Sequence, residues 1–167
     1  FVDKNRSWLE PYCLFQGFKV LYEGKPWWEW PVQHKDIITD VKNGSDYSFH
    51  EFIQFVFRSQ WKKFKEHANN KKVKLIGDLP IYCAPDSSDV WAFPELFELN
   101  KIDNSFQKVA VVPPDYFNED GQFWGNPLYE WDEHKKNGYK WWISRLEAQL
   151  DLFDVVRIDH FRGFNDY

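Results

Sequence analysis

The sequence predicts an α/β fold in which parallel strands are covered by helices, and three observations carry that expectation. Apolar residues recur at helical spacing in three separate stretches, two short apolar runs end on charged residues, and the helical and strand-like stretches alternate along the chain. Alternation of this kind, with strands apolar enough to be covered on a face by helices, is the pattern of parallel α/β architectures. Two parallel strands do not make a stable sheet alone. Either further strands are hidden in the loop-like stretches or, as the pattern favours, the chain is a portion of a larger α/β domain such as a (β/α)8 barrel, which needs about 250 residues.

Each element has its own signature. The first helix is expected from about Ser7 to Tyr22, where Trp8, Tyr12, Phe15 and Phe18 share a face, with Pro11 disturbing its first turn. The following GKPWWEWP, Gly24 to Pro31, is too rich in Pro and Trp for regular structure. Ser48 and Glu51 form a capping-box pattern ahead of Phe49, Phe52, Ile53, Val56, Phe57, Trp61, Phe64 and Ala68, predicting a long amphipathic helix. VKLIGD then reads as a strand ending at Asp78.

From Leu79 to Trp131 six prolines punctuate what reads mostly as loop, and a connection of that length is functional or holds short helices. Tyr139, Trp142, Ile143, Leu146 and Leu150 mark the next helix, and Leu152 to Ile158 the second strand.

Composition narrows the function. Aromatic residues make up 20% of the chain, with 16 Phe, 10 Trp and 8 Tyr, more rings than a core alone requires. Such rings suit the apolar faces of sugars or the faces of bases. A formal net charge of −5, with Lys and Arg scattered, argues against a nucleic-acid partner and leaves carbohydrate. Cys13 and Cys83 follow no metal-ligand spacing, which favours free thiols in a reducing compartment. With no apolar run of about 18 residues and no leader pattern, neither a membrane partner nor a signal peptide is expected within this segment, and a cytoplasmic location is the expectation, with room for a signal upstream of Phe1.

The chemistry concentrates in DVVRIDHFRGF, Asp154 to Phe164. Strand alternation turns Phe153, Val155, Arg157 and Asp159 to one face and Asp154, Val156 and Ile158 to the other. Arg157 and Asp159 thus project together at the C-terminal end of a parallel strand, where α/β folds bind ligands, and Asp78 holds the equivalent place on the earlier strand. Two carboxylates beneath aromatic loops suit glycoside chemistry, with one attacking the anomeric carbon while another group protonates the leaving oxygen. Arg157 would keep Asp159 ionised. Spacing alone leaves a structural ion pair as an equal alternative, and leaves His160 between a packed histidine and a ligand contact. His34, His50, His67 and His134 read as structural, and Trp61 and Trp142 as core; Trp124 and the Pro113 to Phe117 stretch sit among Gly and Pro where rings are harder to bury.

Three blocks, IGDLPIYCAPDSSDVW, VPPDYFNEDGQFWGNPLYEWD and FDVVRIDHFRGF, resemble in the right order the signature blocks of the amylomaltases, the 4-alpha-glucanotransferases of glycoside hydrolase family 77; WLEPYCLF and PWWEWP are also similar to family segments. The resemblance implies part of a TIM (β/α)8 barrel of the alpha-amylase superfamily type, with a long loop-rich insertion between two barrel strands, and residues 1–167 as a partial catalytic barrel. It implies transfer of alpha-1,4-glucan segments between maltooligosaccharides, starch or glycogen, with no cofactor and no metal. Position by position, Asp159 falls on the catalytic nucleophile and Arg157 on the arginine beside it. Asp78 falls on the aspartate that contacts sugar at the cleavage point, Trp124 on an active-site tryptophan, and Tyr116 and Phe117 on the aromatic acceptor loop. Asn126 and His160 lie in matching motifs as further substrate contacts.

Val111 and Phe93 depart from the family pattern, which has a Gly and a smaller polar residue there. A full family member is much longer, and its acid/base glutamate and transition-state aspartate are expected beyond Tyr167. The segment alone is accordingly expected to be inactive and poorly folded, with strand edges and apolar faces uncovered. An amylase-type hydrolase and a non-catalytic glucan-binding segment are the alternative functions.

Overall fold

A computed structural model describes residues 1–35, 45–100, 102–112, 114, 116 and 118–164, the side chains of Ser45 and Asp46 excepted. The first helix, α1 (Val2–Leu21), starts earlier than expected and runs straight through Pro11. Pro11 removes one helical hydrogen bond, but the face formed by Leu9, Cys13, Leu14, Phe15 and Phe18 is buried, and that packing outweighs the local cost. The helix ends where Gly24, at φ 79°, donates its N–H back to the Lys19 carbonyl, a left-handed closure that favours glycine. The Trp-rich segment beyond it forms one 3-10 turn (Trp27–Glu29) that buries Trp27 and Trp30, followed by the single turn α2 (Val32–Lys35).

The long helix α3 (Ser45–Asn70) starts upstream of Ser48, so the Ser48/Glu51 pattern lies inside the helix rather than at its cap. The helix is there, but its apolar stripe is covered only in part: Ala68 is buried and Trp61 half-buried, whereas Phe52 is 60% and Phe64 51% exposed, with Phe49 and Phe57 also open to solvent.

Strands β1 (Ile76–Leu79) and β4 (Val155–Ile158) pair in parallel with Ile76 opposite Val155 and Asp78 opposite Arg157. Both are shorter than the sequence suggests, because helix continues to Leu152 and only the N–H groups of Asp154 and Val155 reach back to the Leu75 carbonyl. Gly77 and Leu79 are buried while Ile76, Asp78, Val155 and Arg157 are exposed, so one face of the pair is packed and the other open. At Gly77 a Cβ would overlap the Phe153 ring, which is why glycine stands there.

The stretch from Leu79 to Trp131 is more ordered than the sequence suggests. It holds α4 (Ser88–Ala92), whose Ser87 side chain caps the Val90 N–H, a 3-10 turn (Pro94–Leu96), and an antiparallel pair, β2 (Val109–Val112) with β3 (Gln122–Pro127). Gly125 and Pro127 disguise β3 as loop, and a register irregularity between Val109 and Val111 accommodates them. Helices α5 (Trp131–Lys136) and α6 (Lys140–Leu152) follow, then β4 and a 3-10 turn (Phe161–Phe164).

The core is aromatic. Tyr129, 2% exposed, lies within 5.5 Å, centroid to centroid, of the rings of Phe97, Trp131, His134 and Trp142. His134 is fully buried against the Leu96 carbonyl, and burial lowers its pKa, which fits the structural role read for it. Trp142 is core as expected, and Trp61 is partly buried with its indole N–H on the Leu152 carbonyl. Cys13 and Cys83 are both buried free thiols, whose pKa values burial pushes up to about 12 and about 11. Among the described residues no helix is long and apolar enough to cross a membrane.

Candidate active site

The paired C-terminal ends of β1 and β4 bring the sequence's main candidates together. Asp78 and Arg157 are direct neighbours across the parallel pair and share its open face. Arg157 bridges two carboxylates, with Nη1 3.2 Å from Asp78 Oδ2 and Nη2 2.8 Å from Asp159 Oδ2. Both pairs are substantially exposed, so their contribution to stability is small and their effect is on side-chain placement.

Beyond β4 the chain turns sharply. His160 takes a left-handed conformation, φ 48°, and its backbone N–H donates to Asp159 Oδ1 at 3.0 Å. That bond is the largest influence lowering the Asp159 pKa, with the charges of His160 and Arg157 adding to it. The sequence pointed to Arg157 for this task; the backbone N–H contributes more, because a hydrogen bond donated straight to the carboxylate favours its charged form. The result is the same: a carboxylate kept ionised at the mouth of a strand.

A cleft of about 330 Å³ opens here, lined by Asp78, Asp159 and His160 from the strand ends and by Trp124 and Asn126 from β3. Trp124 therefore sits on a strand, not on a loop as the sequence suggested. Its indole meets the His160 ring edge to face at 4.4 Å, which fixes both rings beside Asp159, and its N–H donates to Gln122 Oε1 at 3.0 Å. Asn126 donates from Nδ2 to the Cys83 carbonyl at 2.7 Å and so ties β3 to the segment after Asp78.

Two expected residues are not among those that line the cleft. Tyr116 is 97% exposed and is not part of the cleft wall. Phe117 lies outside the described residues. Conversely, Ile81 and Tyr82 line the cleft although neither was singled out as a site residue; the available signal was their position directly after the strand-end Asp78. Among the described residues no cluster of His, Cys, Asp or Glu could hold a metal ion.

Comparison with known proteins gives the family of the chain. The model of the family described as 4-alpha-glucanotransferase, glycoside hydrolase family 77, matches residues 1–167. The chain is 43% identical over 173 residues to the 4-alpha-glucanotransferase of Clostridium butyricum, covering 100% of this chain and 36% of the relative. It is 44% identical to that of Thermus thermophilus, covering 100% and 34%, and 41% identical to the chloroplastic/amyloplastic enzyme of Solanum tuberosum, covering 95% and 28%. The chain thus spans about a third of the length of the relatives it matches. Among solved structures, the amylomaltase from Streptococcus agalactiae in complex with acarbose superposes with a TM-score of 0.84 at 36% identity, over 98% of this chain and 34% of that one. With the family model spanning every residue and a like fold in an amylomaltase, the chain belongs to the 4-alpha-glucanotransferase family, glycoside hydrolase family 77.

Proposed function

We propose that this chain is the nucleophile-bearing part of a 4-alpha-glucanotransferase, one section of a (β/α)8 barrel in which the stretch between β1 and β4 is a loop-rich insertion. The observation that carries the reading is Asp159: a carboxylate held ionised at a strand's C-terminal end, in a cleft shared with a second carboxylate and two aromatic rings.

In the proposed reaction an Asp159 oxygen attacks the anomeric carbon of an alpha-1,4-glucan, and the bond from that carbon to the leaving 4-oxygen breaks. The leaving oxygen takes a proton from a carboxylic acid expected outside this segment. The 4-hydroxyl of a second glucan then attacks the same carbon, returns its proton to that acid, and releases Asp159; two inversions retain the configuration. Arg157 orients Asp159 and Asp78 together, and Asp78 binds sugar hydroxyls at the cleavage point. Trp124 offers an apolar face to a sugar ring, while Asn126 and His160 shape the cleft around it. Tyr116 and Phe117 reach the acceptor sugar, excluding water so that transfer outruns hydrolysis. Maltooligosaccharides, starch and glycogen are the expected substrates.

Chromatography of products from maltotriose and the full-length protein tests the reading. Transfer gives glucose together with longer maltooligosaccharides, whereas glucose and maltose alone would establish a hydrolase. Asp159→Asn is expected to lower the rate by about a thousandfold or more; wild-type transfer by that variant would remove Asp159 as the nucleophile.

A further inference from the structure

The wall of the cleft that follows Asp78 is held from behind by a side chain outside the cleft. Arg145, on α6, donates from Nη2 to the Pro80 carbonyl at 2.6 Å and from Nη1 to the Ile81 carbonyl at 2.9 Å. The Ile81 carbonyl also accepts from the Tyr129 hydroxyl at 2.6 Å, and Arg145 Nη1 lies 3.0 Å from that hydroxyl. The guanidinium is itself oriented by the rings of Trp141 and Trp142, 5.1 and 5.0 Å away. The fork geometry matters here: the planar guanidinium aims separate N–H groups at two successive carbonyls while its flat face lies on two rings, and an ammonium has no such face.

Ile81, together with the next residue Tyr82, also supports the turn that carries the candidate nucleophile. Gly163 packs so closely on them that a Cβ there would come within 2.9 Å of Tyr82 Oη and 3.0 Å of Ile81 Cδ1. The Gly163 N–H in turn bonds the His160 carbonyl at 2.8 Å, closing the turn directly after Asp159. A contiguous path therefore runs from Arg145 to the Pro80 and Ile81 main chain, through the Ile81 and Tyr82 side chains to Gly163, and on to Asp159.

We infer that Arg145 is a positioning residue for the reaction: by fixing the height of the Ile81–Tyr82 wall it sets the separation of Asp78 and Asp159 and the fit of the sugar ring between them. This inference rests on the glucan-transfer reading of the cleft. Because Arg145 also borders a cavity of about 470 Å³ between α1, α3, α4 and α6, a small soluble cation can reach its place when the side chain is removed.

The test compares wild type, Arg145→Ala, Arg145→Lys and Tyr129→Phe in the full-length protein, by steady-state maltotriose disproportionation below the unfolding transition. Arg145→Ala is expected to lower kcat about tenfold to hundredfold, the cost of sub-ångström misplacement, with KM changed less than about threefold. Added guanidinium at a non-denaturing concentration restores part of the rate, methylammonium does not, and Arg145→Lys is no substitute. Tyr129→Phe keeps the buried ring and removes one of the two bonds to the Ile81 carbonyl, with an expected loss of about fivefold. Unchanged kcat in Arg145→Ala, or a lowered melting temperature with kcat intact, overturns the inference. Should Arg145→Ala not fold, unchanged kcat in Tyr129→Phe overturns it alone. Wild type that transfers normally beside unaffected variants removes only this inference, whereas wild type that yields no longer glucans removes the transfer reading and this inference with it.

Discussion

Helices α1 and α3 lie against each other and differ in what they bury. The first carries a broken pattern, interrupted by Pro11 and Gly17, yet hides Leu9, Cys13, Leu14, Phe15 and Phe18 completely or nearly so. The second has the cleaner amphipathic stripe, yet leaves Phe49, Phe52, Phe55, Phe57 and Phe64 exposed. The difference lies in partners. Phe15 and Phe18 meet Trp30 and Trp91 at centroid distances between 5.4 and 5.9 Å, whereas in the α3 stripe Trp61 meets Phe153 at 5.5 Å and the phenylalanines stay exposed. Periodicity states that a helix needs a partner and is silent about whether the same segment supplies it. The two faces of the β1–β4 pair repeat the lesson, one packed on α6 and the core, the other open. In a protein of the relatives' length, the α3 stripe and the open sheet face are where further elements are expected to pack.

That contrast can be broken at its strongest point first. Trp91 is 1% exposed and joins α1 to the aromatic core, so Trp91→Ala should cost the full-length protein about 3–5 kcal/mol in urea unfolding. A loss below about 1 kcal/mol would mean that α1 is not anchored by this cluster. Next comes the packed sheet face. Gly77→Ala forces the Phe153 ring aside, and overpacking should cost about 1–3 kcal/mol; a neutral result would show that β1 and the residue before Asp154 can slide apart freely.

The open surfaces are sharpened by the isolated 167-residue segment, which is expected to bind an apolar dye and to associate as concentration rises. Phe52→Ser with Phe64→Ser should reduce both effects by removing exposed rings from α3. A sharp, cooperative thermal transition without dye binding would show that the segment is self-sufficient.

The smallest effect concerns pH. Asp154 accepts the Leu75 N–H at 2.8 Å and the Asn69 amide at 2.9 Å, with Lys65 nearby, and its pKa is lowered chiefly by the first of these. A carboxyl more acidic when folded adds stability above its unfolded pKa of about 3.9, and that contribution is lost as pH falls through the lower folded value. Asp154→Asn should therefore lower the melting temperature at neutral pH, with the gap to wild type closing in acid. A gap independent of pH would assign the loss to packing instead.

Much of the site was legible from residue order. The matching places of Asp78 and Arg157 follow from the geometry of a parallel pair and are reproduced in the register, while Asp159 lies one residue beyond β4 and meets Arg157 through an ion pair. What was not legible depended on contacts distant in sequence. The bond from His160 to Asp159 requires a left-handed residue, a conformation that histidine visits more often than most residues but that the local sequence does not specify, and the strand containing Trp124 is masked by its own Gly and Pro. Ser48 and Glu51 met the local rule for a helix start, yet the helix begins earlier, where Tyr47 packs partly against the core. The Arg145 contacts join residues 64 and 65 positions apart, beyond any window of local reasoning.

The central claim, that Asp159 is the attacking carboxylate, is tested most directly by trapping. The full-length protein is mixed with maltosyl fluoride, quenched in acid within milliseconds to seconds, digested, and its peptides weighed by mass spectrometry. One maltosyl adduct is expected, on the peptide that contains Asp159, absent from Asp159→Asn. An adduct on another carboxylate of a protein that is turning over, with the Asp159 peptide unmodified, would contradict it.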